Sequence, residues 1–265
     1  MTPRNSSNDL RDDLLVVEAL SVSFGGLKAL DGAAFGVGRG IITGLIGPNG
    51  AGKTTLFDAV TGLLPGASGH VRFDGQELLA ERPEVISRSG LVRTFQLARG
   101  CVRMTVFEHL MLYGPQQRGE RMLAGLISNA SVRRQQARLR EEALATARRL
   151  RLDHVLDNRI PALSGGQKKL LEIGRVLMAK PRMILLDEPM AGVNPTLVSE
   201  IADHLASIRE QGITVLLIEH EMALIERLCD DVIVMAEGKF LTRGTFGEVA
   251  SNPQVQSSYL GMRRQ

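Results

Sequence analysis

The chain has 265 residues, with 32 Lys and Arg against 29 Asp and Glu, a formal net charge of +3. Apolar residues at 44% and charged residues at 23% suit one α/β domain, with or without a modest second lobe, and exclude a disordered chain. Aromatics at only 4% with no Trp argue against a base-stacking nucleic-acid surface. No run approaches the roughly 18 apolar residues of a membrane-spanning helix, and Cys101 and Cys229 lie too far apart to form a metal-ligand pattern, so they read as free thiols of a reducing compartment.

In chain order, residues 1–13 are mostly polar, lack the apolar core of a secretion signal and read as a flexible tail. Leu14–Gly40, with Val71–Phe73, alternates and is Gly-rich, which predicts antiparallel strands and hairpins. Ile41–Ile46, Met183–Leu186 and Ile213–Ile218 are continuous apolar runs, the pattern of parallel strands covered on both faces. A helix-like segment follows each of them: Lys53–Gly62, Thr196–Glu210 and Glu221–Leu228. Between Leu97 and Leu163 strand character disappears and a helical subdomain is expected. Within it, Arg118–Arg151 carries nine Arg and three Glu, a local charge of +6 that leaves the rest of the chain at −3. A solvated helix face accounts for such a run as well as a specific role does.

The segment Gly47-Pro48-Asn49-Gly50-Ala51-Gly52-Lys53-Thr54-Thr55 fits G-x-x-x-x-G-K-[ST] between an apolar strand and a helix, the context of a phosphate-binding loop. Its glycines permit positive φ and let backbone N–H groups approach phosphate oxygens. The helix that follows turns its positive end to the same phosphates. Lys53 is placed to reach the β- and γ-phosphates, and the Thr54 hydroxyl to ligate Mg²⁺. A Gly-rich turn with a surface lysine is the plain alternative, and the fit of both motif and context disfavours it.

The run Met183–Leu186 ends in Asp187 and Glu188. At the carboxyl edge of a parallel sheet, such a pair falls where ligands of open α/β folds bind. Asp187 would hold Mg²⁺ through a water, and Glu188 would orient or deprotonate an attacking water. Acidic residues commonly close strands, so the pair gains meaning only beside the phosphate loop.

Leu163-Ser164-Gly165-Gly166-Gln167 opens a helix reaching about Met178, and Ser164 with Gln167 forms a capping box that would suit any helix start. Two glycines in the first turn are poor helix formers; clearing side chains from an anion-binding helix end would explain them. Further on, Asn194 reads as an N-cap with Pro195 at the first helical position.

These motifs together resemble the ABC-family ATPases over about Leu14 to Leu260. Leu163–Gln167 is similar to the family's signature motif, Gln96 lies 43 residues after Lys53 where the Q-loop glutamine stands, and His220 lies 33 residues after Asp187 like the switch histidine. Phe24 matches the aromatic that stacks on adenine. Ala191-Gly192-Val193-Asn194 departs from the commoner Ser-Ala-Leu-Asp of the D-loop. The resemblance implies an α/β P-loop core with an N-terminal antiparallel β subdomain and an inserted helical subdomain. Its core would span 14–96 and 164–265, with helices at 97–163. It also implies ATP and Mg²⁺ as ligands, with Gln96 as a further Mg²⁺ ligand, and two ATP sandwiched head-to-tail, Ser164, Gly165, Gly166 and Gln167 of each subunit meeting the other's γ-phosphate.

Phe24–Leu30, Val92–Gln96 and Met190–Pro195 are similar to the ATPase subunits of branched-chain amino-acid importers, as are the Asn252-Pro253 and Tyr259-Leu260-Gly261 ending. The resemblance thus implies transmembrane permeases, a second ATPase subunit and, indirectly, a substrate-binding protein as partners, with no nucleic acid. It places the chain at the cytoplasmic face of the inner membrane. Two alternatives remain at this point: the motor of a lipid exporter, which shares the Ala191-Gly192-Val193 stretch and the Tyr259-Leu260-Gly261 end, and a soluble ATPase of iron–sulfur cluster assembly. A DNA-repair ATPase is disfavoured because about 110 residues between Lys53 and Ser164 leave no room for a coiled-coil arm.

Overall fold

The computed structural model describes residues 12–94, 103–114 and 130–260. Among these residues the continuous apolar runs form the centre of one sheet and the alternating N-terminal runs form another. β1 (Leu15–Phe24) and β2 (Leu27–Val37) make a hairpin, and β4 (Ser68–Phe73) with the short β5 (Gln76–Glu77) extends it in the antiparallel order β2-β1-β4-β5. The second sheet has the order β10-β9-β3-β8-β7-β6. Its members are β3 (Ile42–Ile46), β6 (Leu91–Arg93), β7 (Met183–Asp187), β8 (Thr214–Ile218), β9 (Asp231–Ala236) and β10 (Lys239–Gly244). All its pairings are parallel except the β9–β10 hairpin.

Every residue of β3 and β8 is buried, as two-sided coverage requires. Leu15, Leu20, Leu30, Phe57, Val71 and Phe73 join Leu45, Leu185, Leu216 and Ile233 in one core that ties the antiparallel sheet and α1 (Lys53–Val60) to the parallel one. Truncating such a side chain to Ala would remove about 2–5 kcal/mol.

The described chain divides into two units. One comprises residues 1–93, 182–191 and 202–265, and carries both sheets; the other comprises 94–181 and 192–201. The second unit is helical: α3 (Val106–Leu112), α4 (Ala130–Arg149) and α5 (Gly165–Met178) pack on one another around Leu110, Leu139, Ala143, Leu150 and Leu171. Gly174 makes this contact possible, since a β-carbon there would come within 2.9 Å of both Leu110 and Leu150. Arg133, Arg134, Arg138, Arg140 and Arg148 lie on the exposed side of α4. The boundary between units passes through α6 (Pro195–Glu210). α2 (Pro83–Ser89), α7 (Met222–Leu228), α8 (Phe246–Ala250) and α9 (Pro253–Leu260) complete the set among the described residues.

Candidate active site

Strands β3, β8 and β7 run parallel side by side, so their C-terminal ends share one edge of the sheet. β3 delivers Gly47 there, β7 delivers Asp187 opposite Ile218, and β8 runs on to Glu219 and His220. The sheet's topology therefore gathers residues from three distant stretches of sequence at one place.

The loop from Gly47 to Gly52 holds its shape through backbone constraints. Gly47 (φ 151°) and Gly52 (φ 92°) occupy conformations that favour glycine, and a β-carbon would fall 2.1 Å from Met235 O at Gly47 and 2.5 Å from Ala29 O at Gly52. Helix α1 starts at Gly52 with no side-chain cap and no acidic residue in its first turn, which leaves its N-terminal N–H groups suited to an anion. Lys53 is 7% exposed and donates from Nζ to Gly47 O at 2.7 Å and Pro48 O at 2.9 Å. Burial lowers its pKa, against the pull of Glu188 and Asp187. The ammonium thus rests on loop carbonyls while facing both carboxylates. Pro48 is buried, whereas Asn49, Gly50 and Thr54 are exposed, with Thr55 half-buried behind them.

Glu188 directly follows β7 and adopts φ 47°, the left-handed region that a non-glycine residue rarely occupies. Its Oε1 lies 2.6 Å from His220 Nε2. Both side chains are nearly half exposed, so the pair contributes little to stability and is open to a third group. Phe24, at the end of β1, is 50% exposed. Such a ring is free to stack on a flat ligand.

In the helical unit, taken by itself, Ser164 caps α5: its hydroxyl accepts from Gln167 N at 3.2 Å, while Gln167 Oε1 accepts from Ser164 N at 2.9 Å. The two glycines have different reasons. Nothing lies within 4 Å of a β-carbon added at Gly165, whereas one at Gly166 would come 1.7 Å from Leu197 Cδ2. Clearing the helix end fits Gly165; Gly166 leaves room for the Leu197 side chain. Asn194 does cap α6, its Oδ1 accepting from Leu197 N at 2.9 Å. Gln96 lies outside the described residues.

Three residues at the site have no role assigned by the sequence. Arg93 closes β6 with a side chain only 8% exposed; it donates to Asp187 Oδ2 at 2.9 Å, pairs with Asp58 of α1 and lies 5.5 Å over the Phe57 ring. Glu219 is 6% exposed and accepts two backbone N–H groups, from Met190 at 3.0 Å and His220 at 3.3 Å. Burial pushes its carboxyl up, and those two donors oppose the push. Tyr259 of α9 is half-buried, its hydroxyl raised by burial and countered by the N–H of Gly47. The available signals were Arg93 immediately before Thr94-Phe95-Gln96 and an acidic residue between an apolar strand and a histidine.

The family model described as ABC transporter matches residues 30–191. The chain belongs to the ABC transporter family.

Its similarity to individual members of that family extends further along the chain. It is 37% identical over 248 residues to a probable branched-chain amino acid transport ATP-binding protein LivG of Archaeoglobus fulgidus, covering 94% of this chain and 95% of the relative. It is also 37% identical to the high-affinity branched-chain amino acid transport ATP-binding protein BraF of Pseudomonas aeruginosa, covering 94% and 98%. Among solved structures it resembles a nucleotide-free ATP-binding cassette from an ABC transporter, with a TM-score of 0.80, 37% identity and coverage of 93% and 98%. The ADP conformation of such a cassette matches with a TM-score of 0.80, 35% identity and coverage of 94% and 99%. The expected α/β P-loop core with its antiparallel β subdomain is thus that of an ABC ATPase, and the protein is an ATP-binding subunit with ATPase activity. Among the described residues no helix is long and apolar enough to cross a membrane.

Proposed function

We propose that this ABC ATPase is the motor subunit of a multi-chain importer of branched-chain or similar hydrophobic amino acids. The observation that carries this reading is end-to-end similarity, at 36–38% identity over 94% of the chain, to ATP-binding proteins named for that transport. The lipid-export and cluster-assembly readings gain no support from these relatives.

In this reading the Gly47–Thr55 loop and the start of α1 bind the phosphates of ATP, and Lys53 leaves the carbonyls of Gly47 and Pro48 to pair with the β- and γ-phosphates. The loop shape set by Gly47 and Gly52, where a β-carbon would strike Met235 O and Ala29 O, fits a phosphate chain. Thr54, Asp187 and Gln96 are the residues that would hold Mg²⁺, which supplies positive charge to the β- and γ-phosphates when bound. Glu188 takes the proton of, or orients, the attacking water, and His220 holds the Glu188 carboxylate. Phe24 stacks on the adenine.

Ser164, Gly165, Gly166 and Gln167 present the start of α5 to the γ-phosphate held by a second ATPase subunit, this chain or a similar one. ATP closes the head-to-tail dimer, and hydrolysis reopens it. The partners are transmembrane permeases that hold the subunit peripherally at the cytoplasmic face of the membrane and, through them, a substrate-binding protein.

ATP-dependent uptake of labelled leucine into membrane vesicles carrying the protein with its co-encoded permeases tests this. Uptake that disappears in the Lys53→Ala variant supports it. Vesicles that hydrolyse ATP without moving leucine, isoleucine or valine would remove the amino-acid assignment.

A further inference from the structure

Glu219 is a buried carboxylate with no part in the mechanism above, yet it touches both segments that carry Glu188 and His220. We propose that Glu219 is a positioning residue for hydrolysis: it holds the Glu188 turn in its left-handed conformation and fixes His220 against it. The inference rests on the reading of Glu188 as the base.

The argument begins with strain. A glutamate at φ 47° is held in a sparsely populated conformation, of the kind that persists only where surrounding contacts over-determine it. Three contacts do so here. Glu188 N donates to Ile218 O at 3.0 Å, and Ala191 N donates to Glu188 O at 3.2 Å, closing a tight turn over Pro189 and Met190. The third is Met190 N, inside that turn, donating to Glu219 Oε1 at 3.0 Å. The first two are backbone bonds that any sequence could make. The third depends on a side chain.

The other oxygen of the same carboxylate accepts from His220 N at 3.3 Å. One rigid planar group therefore sets the Glu188 turn and the His220 backbone relative to each other. The outcome at the far ends of the two side chains is the 2.6 Å contact between Glu188 Oε1 and His220 Nε2. At 6% exposure, water cannot easily replace either bond, and a buried N–H left unpaired is unfavourable. Without Glu219 the turn at Met190 would open toward solvent, and Glu188 would relax out of its left-handed conformation. A displacement of about 1 Å of a catalytic group can lower turnover about 10²-fold.

The substitutions separate positioning from folding. Glu219→Ala should lower kcat about 10²-fold while leaving the KM for ATP within about two-fold, because the phosphate loop is untouched. Glu219→Gln can keep its oxygen on Met190 but sets an amide against His220 N–H, so it should fall between, with kcat reduced about ten-fold. The Glu188→Gln/Glu219→Ala double variant should lose no more turnover than Glu188→Gln alone and should bind ATP with the same affinity, since Glu219 acts only through Glu188.

A kcat for Glu219→Ala within about three-fold of the parent would overturn the inference, as would kcat and ATP affinity falling together. Turnover that survives Glu188→Gln overturns the base reading and this inference with it. Turnover lost in Glu188→Gln but kept in Glu219→Ala overturns the inference alone.

Discussion

Arg93 Nη2 donates to Asp187 Oδ2 at 2.9 Å, and the same guanidinium pairs with Asp58. One cation thereby joins the last residue of β6 to the end of β7 and to the helix behind the phosphate loop. Replacing it with Met leaves two carboxylates facing each other without it, and both are partly exposed, at 22% and 32%. Solvent would screen part of the loss, so about 2 kcal/mol is expected. Thermal unfolding of the nucleotide-free Arg93→Met variant should show a Tm lower by about 4–8 °C. Adding Asp58→Asn should recover part of the loss, because it removes one of the stranded charges. An unchanged Tm in Arg93→Met would mean the bridge is energetically idle.

The amount of the site visible in the sequence follows from how each residue acts. Lys53, Asp187 and Glu188 were legible because their chemistry requires fixed spacing on a strand or loop. The strands leading to them were legible as unbroken apolar runs: Met183–Asp187 begins where its run does, and Ile42–Ile46 begins one residue later, as does the neighbouring Thr214–Ile218. Arg93 and Glu219 were not. Each acts by reaching across strands or turns, to Asp187 and Asp58 in one case and to Met190 in the other, and no local pattern encodes such a reach. Gly166 has a packing contact that no local pattern displays, since its neighbour Leu197 comes from a different helix. Capping by Ser164 and Asn194 was local, and it appears as read.

Lys53→Ala should weaken ATP binding. The ammonium is buried on the loop carbonyls, and charge-assisted hydrogen bonds of the type proposed between it and the phosphates contribute about 1.5–3 kcal/mol. Affinity measured by titration calorimetry should therefore fall by about 10- to 100-fold. Unchanged affinity would contradict the assignment of the loop.

Glu188→Gln keeps the shape of the side chain and its contact with His220 but cannot accept a proton. Turnover should drop about 10²-fold or more, while ATP binding persists. Size-exclusion chromatography with ATP should then show a dimer that the parent protein does not accumulate. Steady hydrolysis by this variant would exclude Glu188 as the base.

Cys229 gives the fold an alkaline limit. Burial, reinforced by the carboxylates of Asp230, Asp231 and Glu219, pushes its thiol up to about 12. The unfolded chain would titrate near the ordinary value of 9.0. A folded-state pKa raised in this way means the folded protein holds its proton longer. The associated stability is complete below about pH 9 and is lost as pH rises towards about 12. Urea midpoints measured between neutral pH and pH 10.5 should decline, and Cys229→Ala should flatten the decline. At pH 8 the native thiol should react with iodoacetamide far more slowly than the unfolded one.

The two signature glycines offer a separation of packing from function. A methyl group at Gly166 would come 1.7 Å from Leu197 Cδ2 and 3.0 Å from its Cγ, so the Leu197 side chain would have to shift. Overpacking of this kind destabilises by about 1–3 kcal/mol. At Gly165 there is open space and an ordinary helical backbone, so Gly165→Ala should be neutral or slightly stabilising through the better helix propensity of Ala. Thermal unfolding of the two variants should therefore differ in sign, with Gly166→Ala melting several degrees lower. Gly166→Ala combined with Leu197→Ala should regain part of that loss by making room for the methyl group. ATPase assays should show the reverse for Gly165→Ala: a stable protein whose turnover falls because a side chain now occupies the space through which, in the proposed dimer, α5 would meet the phosphate of the second subunit. Equal stability of the two variants would remove Leu197 as the reason for Gly166. Full activity in Gly165→Ala would remove close phosphate approach as the reason for Gly165.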